Sequence, residues 1–437
     1  MWPSDFPGLK WLYPGMRIKR WFFLAVIGMF LVSAGLAGWL PASPRFAVSL
    51  VLVVSGLALV AAGLRQVVRS VVEAVRPGQG PADLATAVYA RRQKGRGPRV
   101  VGIGGGTGMG TLLRGLKEHT DNLTAIVTVA DDGGSSGRLR AEMGVLPPGD
   151  VRMCLVALAD TEPLMERLFQ YRFRQAGEGL TGHNFGNLFI AALTAITGDF
   201  EEAIKESSKV LAVRGQVLPS TLTNVVLHAE LADGRVIAGE SEIARARGRV
   251  RRVFLTPSAP PALPEALAAL AAAEVVVLGP GSLYTSVLPN LLVHGIAEGI
   301  RRSPAVKVYV CNVMTQPGET DGYTVSDHVQ AILDHAGPGL IDYALVNTLP
   351  VPSNLRRKYQ EQGAEPVVYD PERLAGMGVT AVTGNLASLT DLVRHDPERL
   401  AQAILALLGP KWKGSRRGRL RAGDGRDAGQ KGKGQEE

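Results

Sequence analysis

Short apolar runs that end in Gly-rich polar loops constrain the fold of this chain more than any other feature. The runs are RVVGI, LTAIVTVA, EVVVLG, VKVYVCNV and IDYALVN, and they alternate with segments of helical spacing. Runs that are apolar at nearly every position are typical of strands buried on both faces of a parallel sheet. From residue 99 onward the sequence therefore predicts an α/β fold, a parallel sheet with helices on both faces.

A different pattern interrupts these runs. The segments NVVLHAEL and RVIAGESEI flank the turn residues ADG. Two β-rich segments joined by such a turn favour an antiparallel hairpin. We predict that this hairpin forms a small lobe beside the parallel sheet.

Four of the predicted strands are followed by small, polar loops, which read GGGTGMG, DDGGSSGRLR, PGSLYTS and MTQPGETDG. Ligands of open α/β sheets bind outside the carboxyl ends of the strands, so these loops predict one continuous pocket. Glycines let backbone N–H groups approach phosphate oxygens, and a following helix adds its positive end. The loops therefore indicate a pyrophosphate ligand, with tight-turn closure as the alternative role of the glycines.

The candidate ligand-binding residues of these loops are small, hydroxylated, amide-bearing or basic. They are Gly104, Gly105, Gly106, Thr107, Gly108, Ser135, Ser136, Arg138, Gly279, Gly281, Ser282, Thr285, Ser286 and Asn312. Hydroxyl groups can add donors to a phosphate, and an arginine can add a charge-assisted contact.

Asp131 and Asp132 follow the second strand, and three roles remain open for them. They can hold a ribose hydroxyl, bind Mg²⁺ together with phosphates, or cap the next turn. They are also the candidates for catalysis if the chain is an enzyme, and Mg²⁺ is the one cofactor that the sequence suggests.

The segment GHNFGNLFIAAL places His183, Asn184 and Asn187 at a helix start. Because His183 and Asn187 are four residues apart, we expect them to share a helix face. As amide donors the asparagines can form hydrogen bonds with a sugar or base. The alternative is that they only cap the helix, which is a common role for asparagine.

Several nucleotide-binding classes are excluded by their motifs. The P-loop pattern GxxxxGK[ST] is absent, and none of the loops after the predicted strands has the fingerprint GxGxxG. GGGTGMG resembles the phosphate loop of tubulin-like GTPases, but their acidic NxDxxD loop is absent as well. The two cysteines, Cys154 and Cys311, lack metal-ligand spacing and are interpreted as small core residues.

A further resemblance covers most of the predicted sheet region, from about residue 99 to 347. It rests on VVGIGGGTGMGTLLRGLK, VTVADDGGSSGRLR, LPPGDVRMCLVALA, GHNFGNLFIAAL, LGPGSLYTSVLPNLLVHGI and CNVMTQPGETDGYTVSDHV. These segments resemble the YvcK, or gluconeogenesis factor, family, which is related to CofD, the 2-phospho-L-lactate transferase. The resemblance implies a Rossmann-like fold that binds a nucleotide diphosphate, and in this branch a UDP-sugar such as UDP-N-acetylglucosamine.

The resemblance also implies roles for single positions. It puts Gly104 to Gly108 and the loop with Gly281, Ser282 and Thr285 at phosphates, and it matches Asp131 and Asp132 to the acidic pair of the transferase site. Proteins of this branch support cell shape and peptidoglycan precursor supply during gluconeogenic growth, and no reaction is firmly assigned to them. A UDP-sugar-binding regulator is therefore expected, with a Mg²⁺-dependent CofD-like transferase as the alternative.

The two ends of the chain differ from its middle. Residues 21–40 and 46–64 carry no charge, and each stretch is long enough to cross a hydrocarbon core of ~30 Å. Residues 1–97 hold 12 Lys/Arg against 3 Asp/Glu, and residues 98–410 hold 27 against 33. The basic flanks predict two transmembrane helices with both chain ends in the cytoplasm.

These features predict an anchor at 1–76, a linker at 77–97, a ligand-binding domain at 98–410 and a disordered basic tail at 411–437. The expected partners are the membrane, a UDP-sugar and further copies of the chain. The acidic domain argues against nucleic acid.

Overall fold

The chain divides into two compact units, Met1–Arg92 and Gln93–Glu437. The computed structural model describes residues 19–37, 46–75, 94–160, 163–175, 177–389 and 392–409. Most of the predicted linker and the predicted disordered tail lie outside these described residues.

The first unit contains two packed helices, α1 (Lys19–Ala37) and α2 (Phe46–Val75). Glycines meet where they pack: a Cβ added to Gly28 would lie 2.6 Å from the carbonyl oxygen of Gly56. By length and composition, Phe46–Val67 is the candidate membrane span among the described residues, whereas the apolar helix Trp21–Ala37 is shorter. One of the two predicted spans therefore meets this test, and residues 38–40 of the other lie outside the described residues.

The second unit is built on a sheet whose strand pairs are all parallel. Its seven strands within the described residues are β1 (Val100–Gly104), β2 (Leu123–Val127), β3 (Gln216–Pro219), β7 (Val275–Leu278), β8 (Val306–Val310), β9 (Tyr343–Asn347) and β10 (Thr380–Gly384). Their order across the sheet is β10-β9-β8-β7-β1-β2-β3. The predicted parallel sheet is confirmed, and β3 and β10 are strands that the sequence did not indicate.

The predicted antiparallel lobe is also present, but it has three strands. They are β4 (Val226–Leu231), β5 (Val236–Ala238) and β6 (Val250–Thr256), in the order β5-β4-β6. The segment GESEI does not extend the hairpin, because its last residues open a helix instead. A further antiparallel pair joins β11 (Ala387–Leu389) to β12 (Val393–His395).

Helices connect the strands of this unit. They are α3 (Gly106–Leu116), α4 (Gly134–Met143), α5 (Gly149–Leu158), α6 (Pro163–Gln170), α7 (Gly177–Leu180), α8 (Phe185–Thr197), α9 (Phe200–Val210), α10 (Glu240–Ala246), α11 (Pro264–Ala272), α12 (Leu288–Leu291), α13 (Ile296–Arg302), α14 (Val325–Ala336), α15 (Ser353–Gln360), α16 (Pro371–Gly376) and α17 (Pro397–Ala406). Helix α3 packs against both α5 and α17.

The core lies on both faces of the sheet. Every residue of β1, β2 and β7 is buried, and successive side chains of a strand point to opposite faces, so both faces are covered. Cys154 and Cys311 are buried and unpaired, as the sequence predicted.

The strand order reverses direction beside β1. After β1 the chain adds β2 and β3 on one side, and it later adds β7 to β10 on the other side. The boundary between β1 and β7 is therefore the topological switch point, where open α/β sheets bind ligands.

Candidate functional site

The loops after β1, β7 and β8 meet at the switch point. A Cβ added to Gly108 would lie 2.3 Å from the carbonyl oxygen of Pro280, and one added to Gly281 would lie 3.5 Å from that of Gly105. The Asn312 amide donates to the Gly281 carbonyl at 2.8 Å and accepts from the Gly281 N–H at 3.4 Å. The structure therefore joins these three loops into one continuous edge.

The glycines of the first loop serve different purposes. A Cβ at Gly105 would lie 2.3 Å from a carboxylate oxygen of Asp150, and one at Gly104 would lie 3.0 Å from the terminal methyl of Met109. Gly106 has φ +62°, and the nearest atom to its added Cβ would be an Asp150 oxygen at 3.6 Å. Protein packing explains Gly104, Gly105 and Gly108, while Gly106 has a left-handed backbone, and a Cβ added there would be in ordinary van der Waals contact with Asp150.

The hydroxyl groups of the β7 loop are partly used within the protein. Ser282 precedes a π-helical turn (Leu283–Val287), and its Oγ accepts from Thr285 N–H at 3.2 Å and from Thr285 Oγ1 at 2.7 Å. Ser282 Oγ in turn donates to the buried carboxylate of Glu319. Burial raises the pKa of Glu319, and the Ser282 hydrogen bond opposes that shift. Ser286 lies one turn further along and is half-buried, and a Cβ added to Gly281 would lie 3.3 Å from the Ser286 Cβ.

The two aspartates after β2 organise the protein around them. Asp131 Oδ1 accepts from the N–H of Gly133 at 2.8 Å, which is the turn-capping role left open by the sequence. Asp132 Oδ1 accepts from the N–H of Ser241 at 2.9 Å, and a Cβ at Gly239 would lie 2.4 Å from its other oxygen. Asp132 therefore fixes the antiparallel lobe to the loop after β2.

Two further carboxyl groups that the sequence did not single out lie beside these aspartates. Burial, followed by the charge of Asp131, raises the pKa of Asp150 to about 7. Burial, followed by the charges of Asp131, Asp150 and Asp132, raises the pKa of Glu240 to about 8. Both groups therefore change protonation near neutral pH. In the sequence, the segments LPPGDVRMC and GESEI do not indicate that these two carboxyl groups are buried beside Asp131 and Asp132.

The segment with His183 and the asparagines follows a different geometry from the predicted one. Helix α8 begins at Phe185, so His183 precedes it, and the predicted shared helix face of His183 and Asn187 is wrong. Asn184 is the N-cap, and its Oδ1 accepts from the Asn187 N–H at 3.2 Å. The cap interpretation of Asn184 is thus confirmed.

A pair of buried serines connects this segment to the loop after β2. His183 Nδ1 lies 3.2 Å from Ser135 Oγ, and Asn187 Nδ2 donates to Ser136 Oγ at 3.4 Å. Asn187 Oδ1 accepts from Arg152 Nε at 2.8 Å. The candidate residues of the second loop and of α8 therefore form one polar network.

The candidates Arg138 and Thr107 lie outside this polar network. Arg138 donates to the carbonyl of Thr181 at 2.9 Å, which ties its guanidinium to the segment before α8. Thr107 is exposed in the first turn of α3, and its carbonyl accepts from Thr111. Thr107 is thus an exposed residue of the first loop, and Gly106 beside it is half-buried.

The fit of a metal ion to this site is limited. Among the described residues, no group of three or more His, Cys, Asp or Glu side chains could hold a metal ion. Asp131 and Asp132 each commit one oxygen to a backbone N–H. A Mg²⁺ ion here would need ligand phosphates to complete its coordination, as Mg²⁺ commonly does.

Comparison with known proteins gives consistent matches. Residues 100–387 match the family described as 2-phospho-L-lactate transferase CofD. The gluconeogenesis factor of Bacillus subtilis is 53% identical over 72% of this chain and 99% of its own length. The gluconeogenesis factor of Halalkalibacterium halodurans is 54% identical over 70% of this chain and 95% of its own length.

Longer relatives and a solved structure extend the comparison. A relative from Nostoc sp. is 50% identical over 93% of this chain and 92% of its own length. A crystal structure of a Bacillus halodurans protein, 54% identical, covers 70% of this chain and 99% of that chain with a TM-score of 0.68. The second unit therefore shares its fold with a solved structure, and the extra length of this chain recurs in the Nostoc relative.

Proposed function

The chain belongs to the gluconeogenesis factor family of CofD-like proteins, and we propose from that membership that it is a membrane-anchored, cytoplasmic regulator that binds a UDP-sugar. One observation carries the proposal: the loops after β1, β7 and β8 meet at the topological switch point, beside the acidic loop after β2. By family resemblance, the regulated process is the supply of cell-wall precursors and the maintenance of cell shape during gluconeogenic growth.

In this proposal the diphosphate of the ligand lies at the start of α3. The first N–H groups of a helix lack intrahelical partners and favour anions. A Cβ added to Gly106 would meet only an Asp150 oxygen within 4 Å, at 3.6 Å, and exposed Thr107 offers a hydroxyl in the same turn. Other family-matched groups, such as Ser282 and Thr285, shape the opposite wall through their mutual hydrogen bonds.

The hydroxyl-bearing parts of the ligand suit the acidic side of the site. Asp131 and Asp132 each have one carboxylate oxygen that is free of the backbone bonds described above. Carboxylates accept hydrogen bonds from ribose and sugar hydroxyls, and such charged bonds contribute about 1.5–3 kcal/mol each. This arrangement supports sugar recognition without chemistry.

The first unit has the surface expected of a membrane anchor. Large side chains on its outside are exposed, with Phe23 at 69% and Phe30 at 74%, whereas Gly28 and Gly56 pack between the helices. Small residues between helices and large apolar residues outside are the arrangement that lipid favours. We therefore propose that α1 and α2 cross the membrane as a pair, with both chain ends in the cytoplasm.

A ligand screen tests the proposal. The full chain in detergent is titrated calorimetrically with UDP-N-acetylglucosamine, UDP-glucose, GDP-mannose, CDP-choline and NAD. We expect saturable binding of the UDP-sugars and much weaker binding of the others. Absence of UDP-sugar binding by a folded protein would contradict the proposal.

A second candidate function is a CofD-like, Mg²⁺-dependent transferase that acts on a nucleotide diphosphate adduct. It is favoured by Asp150 and Glu240, whose pKa values of about 7 and 8 suit proton transfer near neutral pH. Turnover of a nucleotide diphosphate adduct in the presence of Mg²⁺, lost in the Asp150→Asn variant, would favour this function over the regulator.

A further inference from the structure

Two arginines from different parts of the chain meet at the segment before α8. Arg138 of α4 donates to the carbonyl of Thr181 at 2.9 Å, and Arg172 donates to that of Gly182 at 2.7 Å. A Cβ added to Gly182 would also lie 3.0 Å from Arg138 Nη2. Both guanidinium groups therefore lie beside this one glycine.

A third arginine reaches the same segment from α5. Arg152 donates through Nε to Asn187 Oδ1 at 2.8 Å, and a Cβ added to Gly186 would lie 2.6 Å from the Arg152 Cδ. Burial, followed by the charge of Arg172, lowers the pKa of Arg152 to about 10, which indicates that the two cations are close enough to repel each other. We call Arg138, Arg152 and Arg172 the arginine cluster.

The charge of the arginine cluster is not matched by ion pairs. Arg214, by contrast, forms an ion pair with Asp160 at 2.6 Å. Among the described residues, no carboxylate forms an ion pair with any arginine of the cluster, although the charges of Asp150 and Asp131 partly offset that of Arg152. A guanidinium has five N–H donors, and each of the bonds described above uses one of them. The cluster therefore keeps both donors and positive charge for an anion.

The histidine beside the cluster shows the same excess of positive charge. Burial, followed by the charge of Arg138, lowers the pKa of His183, and Arg172 acts in the same direction. The charge of Glu142 opposes these effects without reversing them. The His183 imidazole is therefore neutral at neutral pH, and no side chain of the segment competes with an anion for the arginines.

A buried serine adds a hydroxyl group to these donors. Ser136 Oγ accepts from Asn187 Nδ2 at 3.4 Å, and the same amide accepts from Arg152 through its oxygen. Within the described part of the chain, the hydrogen of the Ser136 hydroxyl has no acceptor. Ser136 and Arg152 therefore offer donors on the two sides of the Asn187 amide.

We propose that the arginine cluster binds the phosphate group of a phosphate monoester, at a site beside the UDP-sugar of the proposed function. The proposal rests on that function only for the UDP-sugar, whose own two phosphates are assigned to the start of α3. Guanidinium groups bind phosphate through charge-assisted hydrogen bonds, and a monoester offers three terminal oxygens to the three arginines. A carboxylate has only two oxygens and one charge, so it would leave part of the cluster unpaired.

Calorimetric titration of the full chain in detergent with inorganic phosphate tests the site. We expect saturable binding that is weakened roughly tenfold or more in Arg152→Gln, because charged hydrogen bonds are lost. Arg172→Gln removes an exposed guanidinium without changing the core, so it should weaken binding while the fold persists by circular dichroism. The matched control is Arg245→Gln, an exposed arginine of the antiparallel lobe, which should bind phosphate normally.

The same titration in saturating UDP-N-acetylglucosamine tests whether the site is separate. We expect phosphate to bind the loaded protein with similar affinity. An apparent Kd for phosphate that keeps rising with UDP-N-acetylglucosamine concentration would assign the cluster to the diphosphate of the nucleotide and overturn the proposal. Absence of phosphate binding by the wild type, or binding that survives both Arg152→Gln and Arg172→Gln, would overturn it as well. Normal phosphate binding without any UDP-sugar binding would contradict the proposed function alone.

Discussion

Replacing Asp131 and Asp132 together with Asn tests whether the acidic loop after β2 recognises ligand hydroxyls. Asn keeps a side-chain oxygen at both positions, so the bonds from the Gly133 and Ser241 N–H groups, at 2.8 and 2.9 Å, can both persist. The double variant therefore removes two charges while the loop and its contact with the antiparallel lobe remain in place.

The expected magnitude follows from the number of bonds lost. Losing one charged hydrogen bond to a sugar or ribose hydroxyl costs about 1–3 kcal/mol, or roughly 5- to 150-fold in affinity. Removing charge also relieves repulsion between the diphosphate and the carboxylates of Asp131 and Asp132, which acts in the opposite direction. We therefore expect UDP-N-acetylglucosamine to bind about 10- to 100-fold more weakly, with or without Mg²⁺.

Calorimetric titration of the wild type and the double Asn variant, with Mg²⁺ and with chelator, measures this effect. Glu242→Gln is the matched control. It removes an exposed carboxylate in the same lobe, and in the wild type that carboxylate is paired with Arg245. Affinity that depends on Mg²⁺ in the wild type but not in the variant would refute the reasoning. That result would place a cation between the aspartates and the diphosphate, as in a transferase.

Three further predictions address the anchor, the first loop and a buried carboxyl. A reporter fused at Glu437 should be active in the cytoplasm, and protease outside intact cells should not reach the second unit; digestion there would contradict the topology. Gly106→Val should abolish ligand binding in titration while the fold persists by circular dichroism, whereas Gly144→Val, also at positive φ but with open surroundings, should bind normally. Because the pKa of Asp150 rises to about 7 on folding, its contribution to stability is full below pH ~4 and is lost as pH rises through 7. Asp150→Asn should therefore reduce the fall in thermal midpoint between pH 5 and pH 8, and an unchanged fall would contradict the assigned pKa.

The strands that the sequence predicted are those buried on both faces. β1, β2 and β7 read as uninterrupted apolar runs because helices cover both sides of them. β3 was not predicted because it is only four residues long. It begins with the exposed Gln216 and ends with Pro219. β10 lies at the edge of the sheet with exposed Thr380, so its pattern resembles a loop.

In the candidate site, too, local sequence patterns predicted the loops but not the contacts between distant residues. The Gly-rich loops were visible because their composition is unusual over seven to ten residues. Glu319 and Ser282 are 37 residues apart in sequence, and Asp132 and Ser241 are 109 apart, so neither hydrogen bond has a local signature. Burial raises the pKa of Asp150 and Glu240, and it depends on the fold rather than on the residues adjacent in the sequence.

The position of β1 in the middle of the sheet affects how the chain is made. Val100 pairs with Leu123 on one side and with Val275 on the other. One edge of β1 therefore stays unpaired until a strand 175 residues later in the chain has been synthesised. At about 5–20 residues per second, that interval lasts roughly 9–35 s. During this time the nascent chain exposes an apolar strand edge that can pair with other chains. Translation that stops before residue 275 should therefore leave aggregation-prone fragments, and chaperone binding to nascent chains should concentrate in this window.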